Sequence, residues 1–353
     1  MESKIKARNR KKNRIIINSK KEAIKLLENS NERFREVIDI YFHNDIKFKV
    51  DSKEDFIDYL KKIKDYDECE NDLYDKFKDI DKLIIQRVEF DRDQSLNKAV
   101  DYRGSEEIEK LHNKFCKDIK DEEKELLTEI EEEIKKDYLY TKDIELLKKI
   151  LCSNNDNLIE SYDKEKELKT LIINLNHKKD RAYIKASIGT VEYHNFLNSN
   201  LFRLKRLLKN LDKYLIEEGR NCLKINQSNA IQDSVNMAAA YFNNKKYKAI
   251  SGKNDIEGYS KAPKEEEAVF KSCKVNKLGQ MGFGYNRVND SEKKIIETIN
   301  KEIENKVISA EGKLTLITKW QPCPSCYLVL QQFSKCYKDI KIEVKYIKNY
   351  GEK

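Results

Sequence analysis

The chain has 353 residues, 38% of them charged, and a mean hydropathy of -0.82. This composition describes a solvent-rich protein with room for two or more domains, and no apolar run approaches the length of a membrane span. The formal charge of +8 is unevenly divided: residues 230–353 hold 22 Lys and Arg against 15 Asp and Glu, a net +7, which leaves little for the rest.

Residues 4–14 are basic, but only Ile15–Ile17 follow as an apolar patch, too short for a signal-peptide core. From there to about residue 228 the sequence is almost unpunctuated, since all three prolines and seven of the ten glycines lie after residue 230. Recurrent apolar faces predict helices over residues 23–41, 73–90, 119–134 and 201–215. Clusters of Gly, Ser, Asn or Asp predict boundaries near residues 51–54, 101–106, 152–157 and 219–228. Residues 1–228 therefore read as a charged, mainly α-helical region for delivery or interaction, in one unit or more. Its Lys11-Lys12 and Lys20-Lys21 pairs read as solvated charge, because the region's net charge is close to zero.

Residues 229–353 form the second expected domain. A helix is predicted over residues 229–241 and a strand over 247–250, ending at Ser251-Gly252. A polar stretch with Tyr259 and Pro263 follows, then a glycine-rich loop over residues 278–284 that does not match a P-loop. Asp290-Ser291-Glu292 opens a helical pattern over residues 293–303. An apolar strand over residues 314–319 leads into Pro322-Cys323-Pro324-Ser325-Cys326, an amphipathic helix over 327–337 and a strand over 340–347. A strand-helix-strand unit of this kind predicts parallel strands.

Cys323 and Cys326 are the one close pair among eight scattered cysteines, a pattern unlike a disulfide framework. At a helix N-terminus, residues three apart come together, and the unpaired N–H groups favour thiolate, so such a pair can place two sulfurs on one metal. A hydrolytic zinc site takes three protein ligands and leaves a fourth position to water. Asp290 is a candidate third ligand, and Glu292 could reach the water to carry its proton, as in the ligand-x-Glu and Pro-Cys-x-x-Cys signature of zinc deaminases. Other readings stand beside this one. Cys323 and Cys326 could be a redox pair, Asp290 a helix N-cap and Glu292 a first-turn carboxylate. Trp320 could stack on a base or simply pack, and Ser251 could touch substrate or simply turn the chain. Ser325 and Arg287 adjoin the motifs in sequence.

The stretch from about Tyr247 onward resembles the cytidine deaminase-like fold, and most closely the bacterial toxin-type deaminases. The resemblance is carried by Asp290-Ser291-Glu292, Lys294-Ile295, Leu314-Thr315-Leu316, Cys323-Pro324-Ser325-Cys326 and the run from Val329 to Phe333. It implies a C-terminal α/β three-layer sandwich with Zn2+ held by Asp290, Cys323 and Cys326, and Glu292 as the proton carrier. It also implies hydrolysis of a C–N bond on cytosine in nucleic acid, with free nucleosides left open, and Ser251, Trp320 and Ser325 as weaker substrate contacts. A toxin of this kind implies a cognate immunity protein. With no signal peptide or transmembrane segment recognised, the protein is expected to be cytoplasmic, or exported by a leaderless route and acting in a target-cell cytoplasm. The sequence departs from most deaminases in having Asp290 where they have His. Two thiolates and a carboxylate give the zinc centre a formal charge of −1 instead of 0 and a less acidic water. The resemblance implies a five-stranded sheet, whose last strand is expected to be missing or supplied from elsewhere. Two other classes remain as alternatives: a thiol-disulfide oxidoreductase using Cys323 and Cys326, and a non-catalytic helical interaction protein.

Overall fold

A computed structural model describes residues 14–27, 38–39, 46–88, 100–101, 106–152, 157–175, 188–252, 256–276, 279–282 and 284–349. Its C-terminal sheet begins with a tight hairpin between β1 (Met237–Phe242) and β2 (Lys245–Ile250). Asn243 and Asn244 both take positive φ, 48° and 61°, which is the conformation of a two-residue turn matched to strand twist, and Phe242 pairs directly with Lys245. The helix predicted over residues 229–241 is thereby corrected. Ala238, Ala239 and Ala240 favour a helix locally, but the asparagine turn and a strand on either side hold them extended.

Two further strands, β3 (Gly312–Trp320) and β4 (Ile340–Lys348), complete the order β2-β1-β3-β4. β1 and β3 are antiparallel, while β3 and β4 are parallel as predicted. Four helices cover this sheet: α1 (Glu106–Phe115), α2 (Asp121–Asp137), α3 (Ser291–Glu304) and α4 (Pro324–Cys336). Strand side chains alternate between faces, so the two sides of the sheet build separate cores. Ala238, Ala240, Leu314 and Leu316 join Ile295, Ile299, Leu330 and Phe333 of α3 and α4, with Ile108, Leu111 and Phe115 of α1 in the same cluster. Met237, Ala239, Ile250 and Ile317 face the other way, onto Leu126, Leu127, Ile130 and Ile134 of α2. The small alanines of β1 let helices approach from both sides. At the free edge of β4, Cys116 makes a parallel bridge to Val344, and the Lys117 N–H donates to the Val344 carbonyl at 2.9 Å. A short upstream segment thus meets this edge of the sheet.

The chain divides into two compact units, each discontinuous in sequence: Met1–Ile84, Asp143–Ile159 and Ile172–Lys224 form one, and Ile85–Lys142, Glu160–Leu171 and Ile225–Lys353 the other. The second unit takes in α1 and α2 together with the C-terminal sheet. In the first unit the helix Lys53–Lys76 packs on Val191–Asn210, bringing Tyr59, Leu60, Ile63 and Tyr66 into the interior with Leu197, Leu204 and Leu207. Ser52 and Thr190 cap these helices by accepting the N–H of Asp55 and Tyr193. Asp143, fully buried, receives two hydrogen bonds from Arg206, at 2.7 and 2.6 Å.

Residues 1–228 hold strands as well as the expected helices. Lys82–Val88, Leu158–Asp163, Leu168–Asn174, Leu215–Glu217 and Cys222–Asn226 are strands of a five-stranded sheet. The predicted helix over residues 73–90 breaks after Lys76 because Ile84, Ile85 and Val88 belong to a short β-branched run that suits a pleated strand. The helix predicted over residues 119–134 is α2. Of the one predicted over residues 23–41, Lys20–Leu26 is helical, and most of the remainder lies outside the described residues, as does the Lys11-Lys12 pair.

Candidate metal centre

The two motifs meet where the N-termini of α3 and α4 come together. Asp290 is the N-cap residue of α3, with the extended backbone of a cap (φ −70°, ψ 143°), yet its side chain makes no capping bond. Its Oδ2 instead accepts from the Cys323 thiol at 3.2 Å and from the Cys326 thiol at 3.4 Å, and the two sulfurs lie 3.5 Å apart. Cys323 is likewise an N-cap residue without a capping bond, followed by Pro324, whose missing N–H costs nothing at the first helical position. Both caps have thus been diverted from their helices toward one point.

The donor set fits a metal ion. Asp290, Cys323 and Cys326 are buried, and their ligand atoms all lie within 4.8 Å of one another. Around a tetrahedral zinc with bonds of about 2.0–2.3 Å, ligand atoms stand roughly 3.5–3.8 Å apart, so the observed spacings need only a small opening. Without a cation the site is electrostatically strained. Burial raises the Asp290 carboxyl and the Cys323 thiol, and the Cys326 thiol is pushed well up by its hydrogen bond with Cys323 and by burial. Three anion-forming groups in such a volume reach their charged forms together only against positive charge. The same shift opposes a redox role, because a reactive cysteine of a redox pair needs a depressed pKa.

Glu292 lies one residue into α3, almost fully buried, with both carboxylate oxygens engaged. Asn236 Nδ2 donates to Oε1 at 3.0 Å, and the Ser291 hydroxyl donates to Oε2, also at 3.0 Å. The Cys326 thiol is a further hydrogen-bonding neighbour. Burial, and then the Asp290 charge, push the Glu292 carboxyl up to about 7, where it can both take and return a proton near neutrality.

The weaker candidates fall in different places. Ser251 sits behind Glu292: its hydroxyl accepts the Ser291 N–H at 3.1 Å, supplying the cap that Asp290 does not, and donates to Ser291 Oγ at 3.3 Å. Ser325, fully buried, accepts the Cys273 N–H at 3.0 Å and so holds the neighbouring strand. Trp320 is half-buried with the Lys348 ammonium 5.1 Å from its ring centre, and its backbone N–H donates to Asn236 Oδ1 at 3.1 Å. Asn236 thereby ties the Glu292 motif to the strand end that leads into the cysteines. Nothing in the local sequence marks it, since it falls within the residues read as a helix. Lys294, one of the motif residues, is almost fully buried; it donates to the carbonyls of Ile250 and Gly252 at 2.8 and 2.6 Å and fixes the end of β2.

Comparison with known proteins agrees with this arrangement. Residues 220–348 match the model of the toxin-deaminase family, described as the BURPS668_1122 family of deaminases. The segment is thus similar to toxin-type deaminases. No curated protein and no solved structure matches the chain. The matched segment contains all of the site residues, but it begins after α1 and α2, which belong to the same compact unit. Among the described residues, no helix is long and apolar enough to cross a membrane.

Proposed function

We propose that the C-terminal unit is a zinc-dependent hydrolytic deaminase that acts on cytosine in nucleic acid. The observation that carries this reading is the Glu292 carboxylate, held by two hydrogen bonds beside a converging Asp290, Cys323 and Cys326. Those three residues would hold the metal, which when bound supplies Lewis acidity and makes water a nucleophile near neutral pH. Glu292 takes one proton of the attacking water and passes it to the ring nitrogen as the C–O bond forms, then takes the proton of the new hydroxyl and passes it to the amine, which leaves as ammonia as the C–N bond breaks and the carbonyl forms. Asn236 and Ser291 hold the carboxylate in place while the proton moves.

The layering of α2, the sheet, and α3 with α4 supports a cytidine deaminase-like three-layer sandwich. A net +7 over residues 230–353 supports a polyanionic substrate, and the half-buried Trp320 offers a ring on which a single-stranded or flipped base could stack. The family match supports a toxin domain; on this reading the protein acts in the cytoplasm of a target cell and is restrained in the producing cell by a cognate immunity protein.

The test is deamination by the full chain with zinc, on single-stranded DNA, double-stranded DNA, RNA and free nucleosides, beside Glu292→Gln. Conversion of cytosine to uracil, lost in the variant, is the expected result. Conversion of none of these substrates by a zinc-loaded chain would overturn the substrate assignment.

A further inference from the structure

The carboxylate ligand leaves this site with one negative charge more than a histidine would, and the structure contains a cation placed to offset it. Arg287 is buried, with about 9% of its surface exposed, and its guanidinium lies 3.8 Å from Asp290 Oδ1, the oxygen turned away from the cysteines. Asp290 is thus divided between two partners: Oδ2 faces the thiols and Oδ1 faces Arg287. The charge of Arg287 opposes the effect of burial on the Asp290 carboxyl.

The guanidinium is held there by a scaffold. Its Nε donates to the Val275 carbonyl at 2.9 Å, one terminal nitrogen donates to the Asn276 carbonyl at 3.1 Å, and the other donates to the Tyr285 hydroxyl at 2.9 Å. The Tyr285 ring lies under it, 4.4 Å from the guanidinium carbon. Gly284 makes this possible. It takes a φ of +80°, and a Cβ there would stand 2.8 Å from the Asn276 backbone, so only glycine lets residues 285–287 lie this close to residues 274–276. A buried guanidinium anchored in this way is poorly placed to bind substrate phosphate, and its position beside a ligand oxygen is that of a group that orients and tunes a metal ligand.

We propose that Arg287 is the positioning residue that allows a carboxylate to serve as the third ligand, restoring to 0 the formal charge of a centre built from two thiolates and an aspartate. The inference rests on the reading of Asp290, Cys323 and Cys326 as zinc ligands. It yields a charge rule: the cation at position 287 is useful when residue 290 is an anion and is a liability when residue 290 is neutral.

The experiment measures zinc affinity of the full chain by competition with a chromophoric chelator, with Trp320 emission as a check that each variant is folded. Arg287→Gln is expected to weaken zinc binding by about 10–100-fold, the usual effect of removing an outer partner of a ligand. Arg287→Lys, which keeps the charge and loses the planar anchoring, is expected to recover part of that loss. In the Asp290→His background, Arg287→Gln is expected to leave zinc affinity unchanged or to improve it. An equal loss from Arg287→Gln in both backgrounds would mean that the arginine only holds the loop, and would overturn the proposal. Asp290→Ala separates this from failure of the ligand reading itself: if that variant binds zinc as the parent does, both fall, whereas if it loses zinc and Arg287→Gln does not, only the role of Arg287 falls.

Discussion

Replacing Ile130 by Ala should unfold the second compact unit more easily, although Ile130 lies well upstream of the matched segment. Its side chain is 1% exposed in the cluster formed by α2 with Met237, Ala239, Ile250 and Ile317. Truncating a buried Ile to Ala costs about 2–5 kcal/mol, because a cavity remains where the methyl groups packed. Removing the whole helix would uncover the sheet face opposite Leu126, Leu127, Ile130 and Ile134, at roughly 1.5–3 kcal/mol per side chain, or about 6–12 kcal/mol in all. A domain of ordinary stability has only about 5–15 kcal/mol to lose. The assay is urea unfolding followed by emission of Trp320, the only tryptophan of the chain, which sits beside the cysteines and so reports on this unit. With a slope of about 2–3 kcal/mol/M, Ile130→Ala is expected to lower the midpoint by about 1 M or more. Residues 220–348 produced alone are expected to show no cooperative transition. An unchanged midpoint in the variant, or a cooperative transition in the isolated segment, would refute the assignment of α2 to the catalytic unit.

Further outcomes follow from the site and from the first unit. Glu292→Gln is expected to retain zinc and to lose turnover by at least about 100-fold, the usual scale of a general acid-base group; turnover within tenfold of the parent would remove Glu292 from the mechanism. Burial raises the Cys323 thiol, and the hydrogen bond with Cys323 together with burial raises the Cys326 thiol, so both are protonated near neutrality and metal uptake must displace two protons. Zinc affinity should therefore rise by up to about a hundredfold per pH unit between about pH 6 and 8, and a pH-independent affinity would argue against thiolate ligands. Ser251→Ala leaves the Ser291 N–H without its acceptor, a cost of about 1 kcal/mol, and is expected to lower kcat with little change in KM. In the first unit, Asp143→Ala removes the two carboxylate hydrogen bonds of the Arg206 guanidinium and should cost about 3–5 kcal/mol, read by far-UV circular dichroism during unfolding; a loss below about 1 kcal/mol would refute the importance of that pair.

Much of the site was legible from local signals. A Pro-Cys-x-x-Cys after an apolar strand announces a helix N-terminus carrying two thiols, and Asp290-Ser291-Glu292 before an amphipathic run announces another. Caps and periodicity are properties of a few adjacent residues, so both helices and the parallel strands around them could be read without knowledge of their neighbours. The sequence by itself thus determined the donor set and the elements that carry it. Only the tertiary structure decided what surrounds that set. Asn236 and Ser251 reach the Glu292 motif from an extended segment and a strand end some 40 or more residues away, and Arg287 reaches Asp290 only because Gly284 brings its loop against the Asn276 backbone. Likewise α2 closes the second face of the sheet from beyond the matched segment, and the alanines of β1 become a strand because an asparagine turn and two strand neighbours outweigh their helical preference. These contacts depend on groups distant in the chain, whose burial and pairing arise only when the whole unit has packed.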